Sequence, residues 1–240
     1  MQFQTPLIRA TLIRRYKRFL ADVILPDGTE VTAHCANPGA MTGLMDMGAT
    51  VWIEANDDPK RKLKYSWKLI ELAGGHFACI DTAMPNALVA QAIQGGQVAE
   101  LTGYSGLRRE VNYGQNSRID FLLTDSGKPD TYVEVKAVTL KRSEHLAEFP
   151  DTVTKRGTKH LEELANMVAE GHRAVMFYLV HRSDCAQFKI AADIDPVYAK
   201  AFDRGREAGI EICCYGTDLS PEGVKLSRQI AIDRSKQFTD

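Results

Sequence analysis

The stretch Ser117–Val138 limits what this chain can fold into more than any other. It reads S-R-I-D-F-L-L-T-D-S-G-K-P-D-T-Y-V-E-V-K-A-V. Ile119, Phe121 and Leu123 alternate with Arg118 and Asp120. Beyond T-D-S-G-K-P-D, Val133, Val135 and Ala137 alternate with Glu134 and Lys136. Period-two alternation around a Gly/Pro/Asp loop predicts a β-hairpin. Residues two apart on a strand share a face, so Glu134 and Lys136 project together, Asp120 on the partner strand joins them, and the opposite face lies on a core.

Two carboxylates and an ammonium on one sheet face have chemical meaning. Hard oxygen ligands suit Mg²⁺, which takes one or two carboxylates and keeps several waters. A lysine beside that ion orients an attacking water or stabilises charge on a phosphate. The plainer alternative is a solvated face crossed by ion pairs. Glu110, in the run Leu107–Tyr113, is a candidate third acid, although Arg108 and Arg109 offer it a simple ion pair.

The 240 residues suffice for one large domain or two modest ones. No run approaches the roughly twenty apolar residues of a membrane span. Met-Gln-Phe-Gln-Thr-Pro lacks the charged start and apolar run of a secretory signal. The expectation is a cytoplasmic protein without membrane contact. Five cysteines, none in C-x-x-C spacing, argue against a disulfide framework and a zinc site. They read as small buried residues.

Net charge is −1, but it is unevenly spread: residues 1–80 hold ten Lys/Arg against eight Asp/Glu, and the remainder 20 against 23. One basic group contains Arg14, Arg15, Lys17 and Arg18; another contains Lys64 and Lys68. Such groups neutralise phosphates, or simply form a solvated face.

Short strands follow one another up to residue 82, among them Glu30–Ala36, Val51–Ala55, Leu63–Leu72 and Phe77–Thr82, with Pro26-Asp27-Gly28-Thr29 as a turn. This spacing predicts a small OB-like β-barrel. Tyr16, Phe19, Trp52, Tyr65 and Trp67 are stacking candidates for nucleotides, or core. After residue 82 strands alternate with helices, which predicts an α/β (α+β mixed) domain over 83–240. A helix covers Ala87–Ile93. Leu140–Pro150 reads as a loop. Leu161, Leu164, Ala165, Met167 and Val168 form a helical stripe. Arg156, Lys159 and His160 lie at that helix's start, where anions are favoured. Ala174–Val180 is a central strand buried on both faces. Asp195-Pro196 caps a further helix. Ile210–Tyr215 ends the sheet, and the tail after Ser220-Pro221 closes as a helix or frays.

Four strings carry a resemblance: His34-Cys35-Ala36-Asn37-Pro38-Gly39-Ala40-Met41, Asn116–Leu123, Tyr132–Lys136 and Phe149–Leu164. Along nearly its whole length the chain resembles the sugar fermentation stimulation protein A family. The resemblance implies an OB-like domain over 1–82 and a domain like the PD-(D/E)XK nuclease superfamily over 83–240. It implies DNA as partner and a link to the regulation of sugar (maltose) metabolism in bacteria. By position, Asp120 matches the first acidic residue of the nuclease motif, Glu134 the second and Lys136 its lysine.

The expected activity is a phosphodiesterase on DNA using Mg²⁺ (or Mn²⁺). Asp120 and Glu134 hold the metal and Lys136 serves the water. Arg14, Arg15, Lys17, Arg18, Lys64, Lys68, Arg156 and Lys159 contact DNA. The rival expectation is a non-catalytic DNA-binding regulator. Oligomeric state stays open, with a homodimer as one arrangement.

Overall fold

The computed structural model describes residues 1–233. The first strands are β1 (Leu7–Tyr16), β2 (Leu20–Ile24), β3 (Glu30–Cys35), β4 (Thr50–Ala55), β5 (Tyr65–Leu72) and β6 (His76–Cys79). Their order is β3-β2-β1-β4-β5-β6, and a short parallel ladder, Ala33–Tyr65 to Cys35–Trp67, joins β3 to β5. That ladder brings five strands into the ring of an OB-like barrel. The alternating inward residues make its core, with Leu12, Val23, Val51, Ile53 and Trp67 fully buried. Trp67 therefore belongs to the barrel interior, as the core alternative has it. Phe19 is exposed, at 47 %. Beside it Lys17 and Arg18 carry the β1–β2 turn with φ of 49° and 63°. This left-handed region is uncommon for long side chains.

The second part contains α1 (Met84–Gln94), β7 (Gly106–Tyr113), β8 (Ser117–Asp125), β9 (Lys128–Val138), β10 (Leu140–Ser143), β11 (Leu146–Phe149), α2 (Lys155–Ala169), β12 (Arg173–Val180), β13 (Gln187–Ile190), α3 (Pro196–Glu207), β14 (Glu211–Ser220), β15 (Gly223–Gln229) and β16 (Ala231–Ile232). The main sheet runs β15-β14-β12-β9-β8-β7, with β9, β12 and β14 parallel and the outer strands antiparallel. The apolar run on β12 sits in the middle, and Ala174–Val180 are all buried. Helices α2 and α3 cover one face through Leu161, Leu164, Tyr198 and Phe202. Helix α1 covers the other, where Val133, Val135, Phe177 and Leu179 meet Leu88 and Val89. The expected mixed sheet flanked by helices is present.

Three local expectations change. Leu140–Pro150 is not a loop but largely the β10–β11 hairpin, part of a second sheet ordered β10-β11-β13-β16. The tail contains β15, which pairs with β14, so β14 does not end the sheet. The part of the tail beyond Asp233 lies outside the described residues. The strict alternation on β8 also breaks: Ile119 joins the core beneath α2, whereas Phe121 and Leu123 join the core beneath α1. The break falls at Asp120. Opposite it Glu110 has φ of 52°, and the β7–β8 ladder passes from Arg109–Phe121 to Val111–Ile119.

The barrel is stitched to the main sheet. Cys79 N donates to His181 O at 2.9 Å, and Ser183 N donates to Phe77 O at 2.9 Å. At the other end Met1 exchanges backbone hydrogen bonds with Val224 on β15.

Candidate functional site

The β8–β9 ladder runs as far as Phe121–Val133 and then opens. Past that point the Val135 amide donates to the Asp120 carboxylate, Oδ2, at 2.7 Å. Oδ1 accepts from the Asn86 side chain on α1, also at 2.7 Å. A side chain thus replaces a backbone acceptor and holds the strands apart. Burial first, and the negative charge of Glu134 second, push the Asp120 carboxyl up to about 6; the Val135 amide, Lys136 and Asn86 act against that rise.

Glu134 and Lys136 project from β9 toward α2. Glu134 is 3 % exposed. Its Oε1 accepts from Lys136 Nζ at 2.7 Å and meets His160 Nδ1 in a short hydrogen bond. Burial raises the Glu134 carboxyl, but the bond from His160 and the charge of Lys136 more than offset it and hold it low. Arg156 Nε donates to His160 Nε2 at 3.3 Å. With Nε2 accepting, the Nδ1 proton points at Glu134. Lys136 Nζ lies 3.2 Å from that same Nδ1. Glu134 and Lys136 thus meet on one face of β9, as strand periodicity requires, whereas Asp120 reaches that strand through the break in β8, on the Val135 amide between them.

Helix α2 starts where Thr154 Oγ1 accepts from Gly157 N at 3.1 Å. Gly157 is packed so closely that a Cβ would lie 2.9 Å from Thr154 and 3.0 Å from Tyr198. This seats the helix start against α3 and aims Arg156, Lys159, His160 and Glu163, spaced i, i+3, i+4 and i+7, along one face. Lys159 Nζ donates to Gln115 O at 2.8 Å. Tyr113, Asn116, Arg118, Arg156, Lys159 and His160 border a cleft of about 690 Å³. The i+4 relation of Arg156 and His160, on the edge of the apolar stripe, was the available signal for His160's role. Glu163 carried no signal of its own.

The remaining basic residues do not join this cleft as one set. Arg14 pairs with Asp22 at 2.9 Å. Arg15 donates to the carbonyls of Asn37 and Gly39 at 2.8 and 3.1 Å and so holds that loop. Lys17 and Arg18 are exposed at their turn. Lys64 Nζ donates to Asp58 O at 3.0 Å. Lys68 is only 15 % exposed and lies between Glu54 at 3.1 Å and Asp81 at 2.5 Å. An ammonium satisfied by two carboxylates is held as structure, not offered to a phosphate. Glu110 faces Arg118 at 3.9 Å on the surface, an ion pair across the β7–β8 ladder and not with the neighbouring Arg108 or Arg109 that the sequence offered.

Among the described residues, no three His, Cys, Asp or Glu side chains gather into a group able to hold a metal ion. The donors here are two carboxylates, with Glu134 Oε2 buried and lacking any hydrogen-bond partner. Two hard oxygen donors and an unsatisfied buried carboxylate oxygen fit a hard divalent cation that keeps most of its waters. All five cysteines are buried, and no helix among the described residues is long and apolar enough to cross a membrane.

A family model described as the sugar fermentation stimulation protein RE domain matches residues 83–223. One described as the SfsA N-terminal OB domain matches residues 13–80. The sugar fermentation stimulation protein homolog of Jannaschia sp. (strain CCS1) is 57 % identical over 241 residues, covering 100 % of each chain. That of Ruegeria sp. (strain TM1040) is 60 % identical over 94 % of this chain and 97 % of its own. Among solved structures, Pyrococcus furiosus SfsA in complex with Ca²⁺ superposes with a TM-score of 0.87 at 26 % identity, over 97 % of this chain and 98 % of that one. The chain belongs to the sugar fermentation stimulation protein family.

Proposed function

We propose that this protein is a metal-dependent phosphodiesterase acting on DNA in the cytoplasm, built as a barrel over 1–82 and a nuclease-like unit over 83–240. The observation that carries the reading is the opened hairpin. There Asp120 accepts from the Val135 amide, Glu134 Oε1 accepts from Lys136 Nζ two residues along the same strand, and Glu134 Oε2 has no hydrogen-bond partner, which supports the reading. The P. furiosus relative was solved with Ca²⁺, a hard divalent cation like the Mg²⁺ or Mn²⁺ proposed here.

In this reading Asp120 and Glu134 hold the cation. When bound, it supplies Lewis-acid polarisation of a phosphoryl oxygen and acidifies a water. Lys136, oriented by Glu134, positions the attacking water. His160 and Arg156 fix Glu134 from behind. Arg156 and Lys159, at the start of α2, neutralise a phosphate in the cleft. The exposed turn of Lys17, Arg18 and Phe19 joins the first two barrel strands, a loop that oligonucleotide-binding barrels use. Arg14, Arg15 and Lys64 lie on the same barrel, and Lys68 is left out for the reason given above.

One observation favours a second reading. Glu134, Lys136 and His160 already satisfy one another, as an ion-pair cluster in a non-catalytic DNA-binding regulator of sugar metabolism would. Incubation with labelled single-stranded, duplex and branched DNA, with Mg²⁺, with Mn²⁺ and with chelator, separates them. Cleavage that chelator abolishes is the expected result. Salt-dependent binding with no cleavage on any substrate would give the second reading its place.

A further inference from the structure

The turn Asn37-Pro38-Gly39 has no part in the reading above, yet hydrogen bonds pin it on both sides. Gly39 N donates to Asn37 Oδ1 at 2.8 Å, which closes the turn. Arg15 holds the carbonyls of Asn37 and Gly39 from the barrel. Thr82 Oγ1 donates to the carbonyl of Ala36, just before the turn, at 3.1 Å. A Cβ on Gly39 would lie 2.7 Å from Asp151 Oδ2, so only glycine lets that carboxylate stand against the turn.

The turn borders a cavity of about 220 Å³ at the seam between barrel and main sheet. Pro38, Ile80, Leu140 and Phe149 give it apolar walls, and Asp81, Glu148, Asp151 and His181 border it as well. The volume is below the roughly 300–1,000 Å³ of pockets that bury drug-sized ligands, so one ring system fits and little more. Ala137, also on the wall, directly follows Lys136 on the part of β9 beyond its last β8 partner.

The polar groups decide which ring. Asp81 is neutralised by Lys68 at 2.5 Å, and Glu148 by Arg142 at 2.8 Å and Lys189 at 3.3 Å. Asp151 differs. Among the described residues its carboxylate has no cationic partner, only the neighbouring Thr152 hydroxyl at 3.4 Å. An uncompensated carboxylate turns away anions and accepts N–H donors. His181 is 1 % exposed, and its backbone is fixed by bonds to Val138 O at 2.8 Å and from Cys79 N at 2.9 Å. Its Nε2 has no partner. Burial lowers its pKa and keeps the imidazole neutral at pH 7, so Nε2 offers a hydrogen bond without a charge. An unpaired polar atom buried so deeply asks for an occupant. A water answers Nε2 alone; a ring also covers the apolar walls.

Guanine meets these demands together. It is flat and uncharged. Its N1–H and N2–H₂ are adjacent donors, matched to the two oxygens of one carboxylate. Its O6 and N7 accept from Nε2–H. Adenine and cytosine set a donor beside an acceptor, and thymine sets its donor between two acceptors.

We propose that this cavity receives a guanine base, with its N1–H and N2–H₂ edge on Asp151 and O6 or N7 on His181 Nε2. That edge is free only when guanine is unpaired, so the base comes from an unpaired position in DNA or from a free nucleoside. For DNA, the inference rests on the phosphodiesterase reading and names the base selected beside Lys136.

Equilibrium binding to the full chain in chelator tests it apart from the metal site. The probes are a labelled short oligothymidine with dG, dA, dC or an abasic position at its centre and, separately, guanosine beside adenosine. The dG strand should bind at least about tenfold tighter than the others, the low end of what one bidentate pair discriminates. Asp151→Asn, nearly isosteric, should abolish that preference while affinity for plain oligothymidine holds. His181→Phe, which keeps a ring and loses Nε2, should weaken the dG strand by about fivefold, with circular dichroism melts verifying the fold of each variant. A dG preference makes the occupant a base of the DNA. Guanosine bound by wild type and not by Asp151→Asn, with no base preference in DNA, makes it a free nucleoside. Equal affinity for every strand with no guanosine binding overturns the proposal, as does a dG preference that Asp151→Asn leaves intact. If wild type still cuts DNA, only the guanine cavity falls; if it prefers guanine and cuts nothing, only the phosphodiesterase reading falls.

Discussion

Lys136 is held by contacts that serve no packing purpose. Its ammonium sits 2.7 Å from Glu134 and 15 % exposed, with its position set by one carboxylate and one imidazole. Lys136→Ala is expected to reduce DNA cleavage by about 10²–10⁴-fold, the range for a lost proton-handling or water-orienting group. Affinity for DNA in chelator should change by no more than about threefold, because the proposed phosphate contacts lie elsewhere. Parallel single-turnover and binding assays measure both.

His181 makes a separate prediction, about pH. It is 1 % exposed, and its Nε2 has no partner. Burial lowers its pKa from 6.5 to about 4, against the smaller opposing charge of Asp81. Between those values the unfolded chain binds a proton that the folded chain refuses. Stability from this group is fully present above pH 6.5 and is lost as pH falls through about 4. The loss is about 3 kcal/mol for a shift of this size. Urea melts from pH 7.5 to 4 should show a steeper decline for wild type than for His181→Asn.

At this scale the sequence was legible where side-chain direction follows from the backbone alone. Glu134 and Lys136 are two apart on a strand, and no other contact is needed to put them together. The contact of His160 with Glu134 was not legible. A polar residue beside an apolar stripe looks the same whether it faces water or a buried carboxylate, and only the packing of α2 on the sheet decides between them.

The elements around the site are fixed mainly at their ends. Asp195 is 1 % exposed and serves two helices: Oδ1 accepts from Tyr198 N at 2.9 Å to cap α3, and Oδ2 accepts from Thr154 N at 2.7 Å at the mouth of α2. Asp195→Ala should therefore exceed a single lost cap, which costs about 1 kcal/mol, and reach about 2–4 kcal/mol. Thr154→Ala, losing one cap bond, should cost about 1 kcal/mol. Thermal melts of the two variants should rank in that order.

The Asp195-Pro196 start was readable because cap chemistry is local. The break at Asp120 was not, because the sequence keeps a regular alternation through it. The ladder opens there only because Asp120 takes the Val135 amide and Asn86 braces it. Strands β10 and β11, four residues each, were lost to a charged segment. Strand β15 hid in a polar tail because an edge strand need bury only one face, here through Val224 and, in part, Leu226.

Across the whole molecule, the barrel and the main sheet meet along a backbone seam from Phe77 and Cys79 to His181 and Ser183. The seam fixes the exposed Lys17–Arg18 turn relative to the cleft at Arg156 and Lys159. If both ends track one DNA backbone, each lost phosphate contact lowers the slope of log affinity against log salt by about 1. Lys17→Ala with Arg18→Ala, and Arg156→Ala with Lys159→Ala, should each reduce it by about 2 across unrelated sequences. Lys68→Ala should leave that slope unchanged and instead lower the melting temperature, since it strands Glu54 and Asp81.

The central claim is that the opened hairpin is a metal-dependent site for cutting DNA. The most direct measurement is single-turnover cleavage of labelled DNA in Mn²⁺ at saturating protein, wild type beside Glu134→Gln, with equal binding of both proteins verified in chelator. The account predicts cleavage by wild type and at least a hundredfold loss in Glu134→Gln. Equal cleavage by the two proteins, or none by wild type on DNA that it binds, would contradict it.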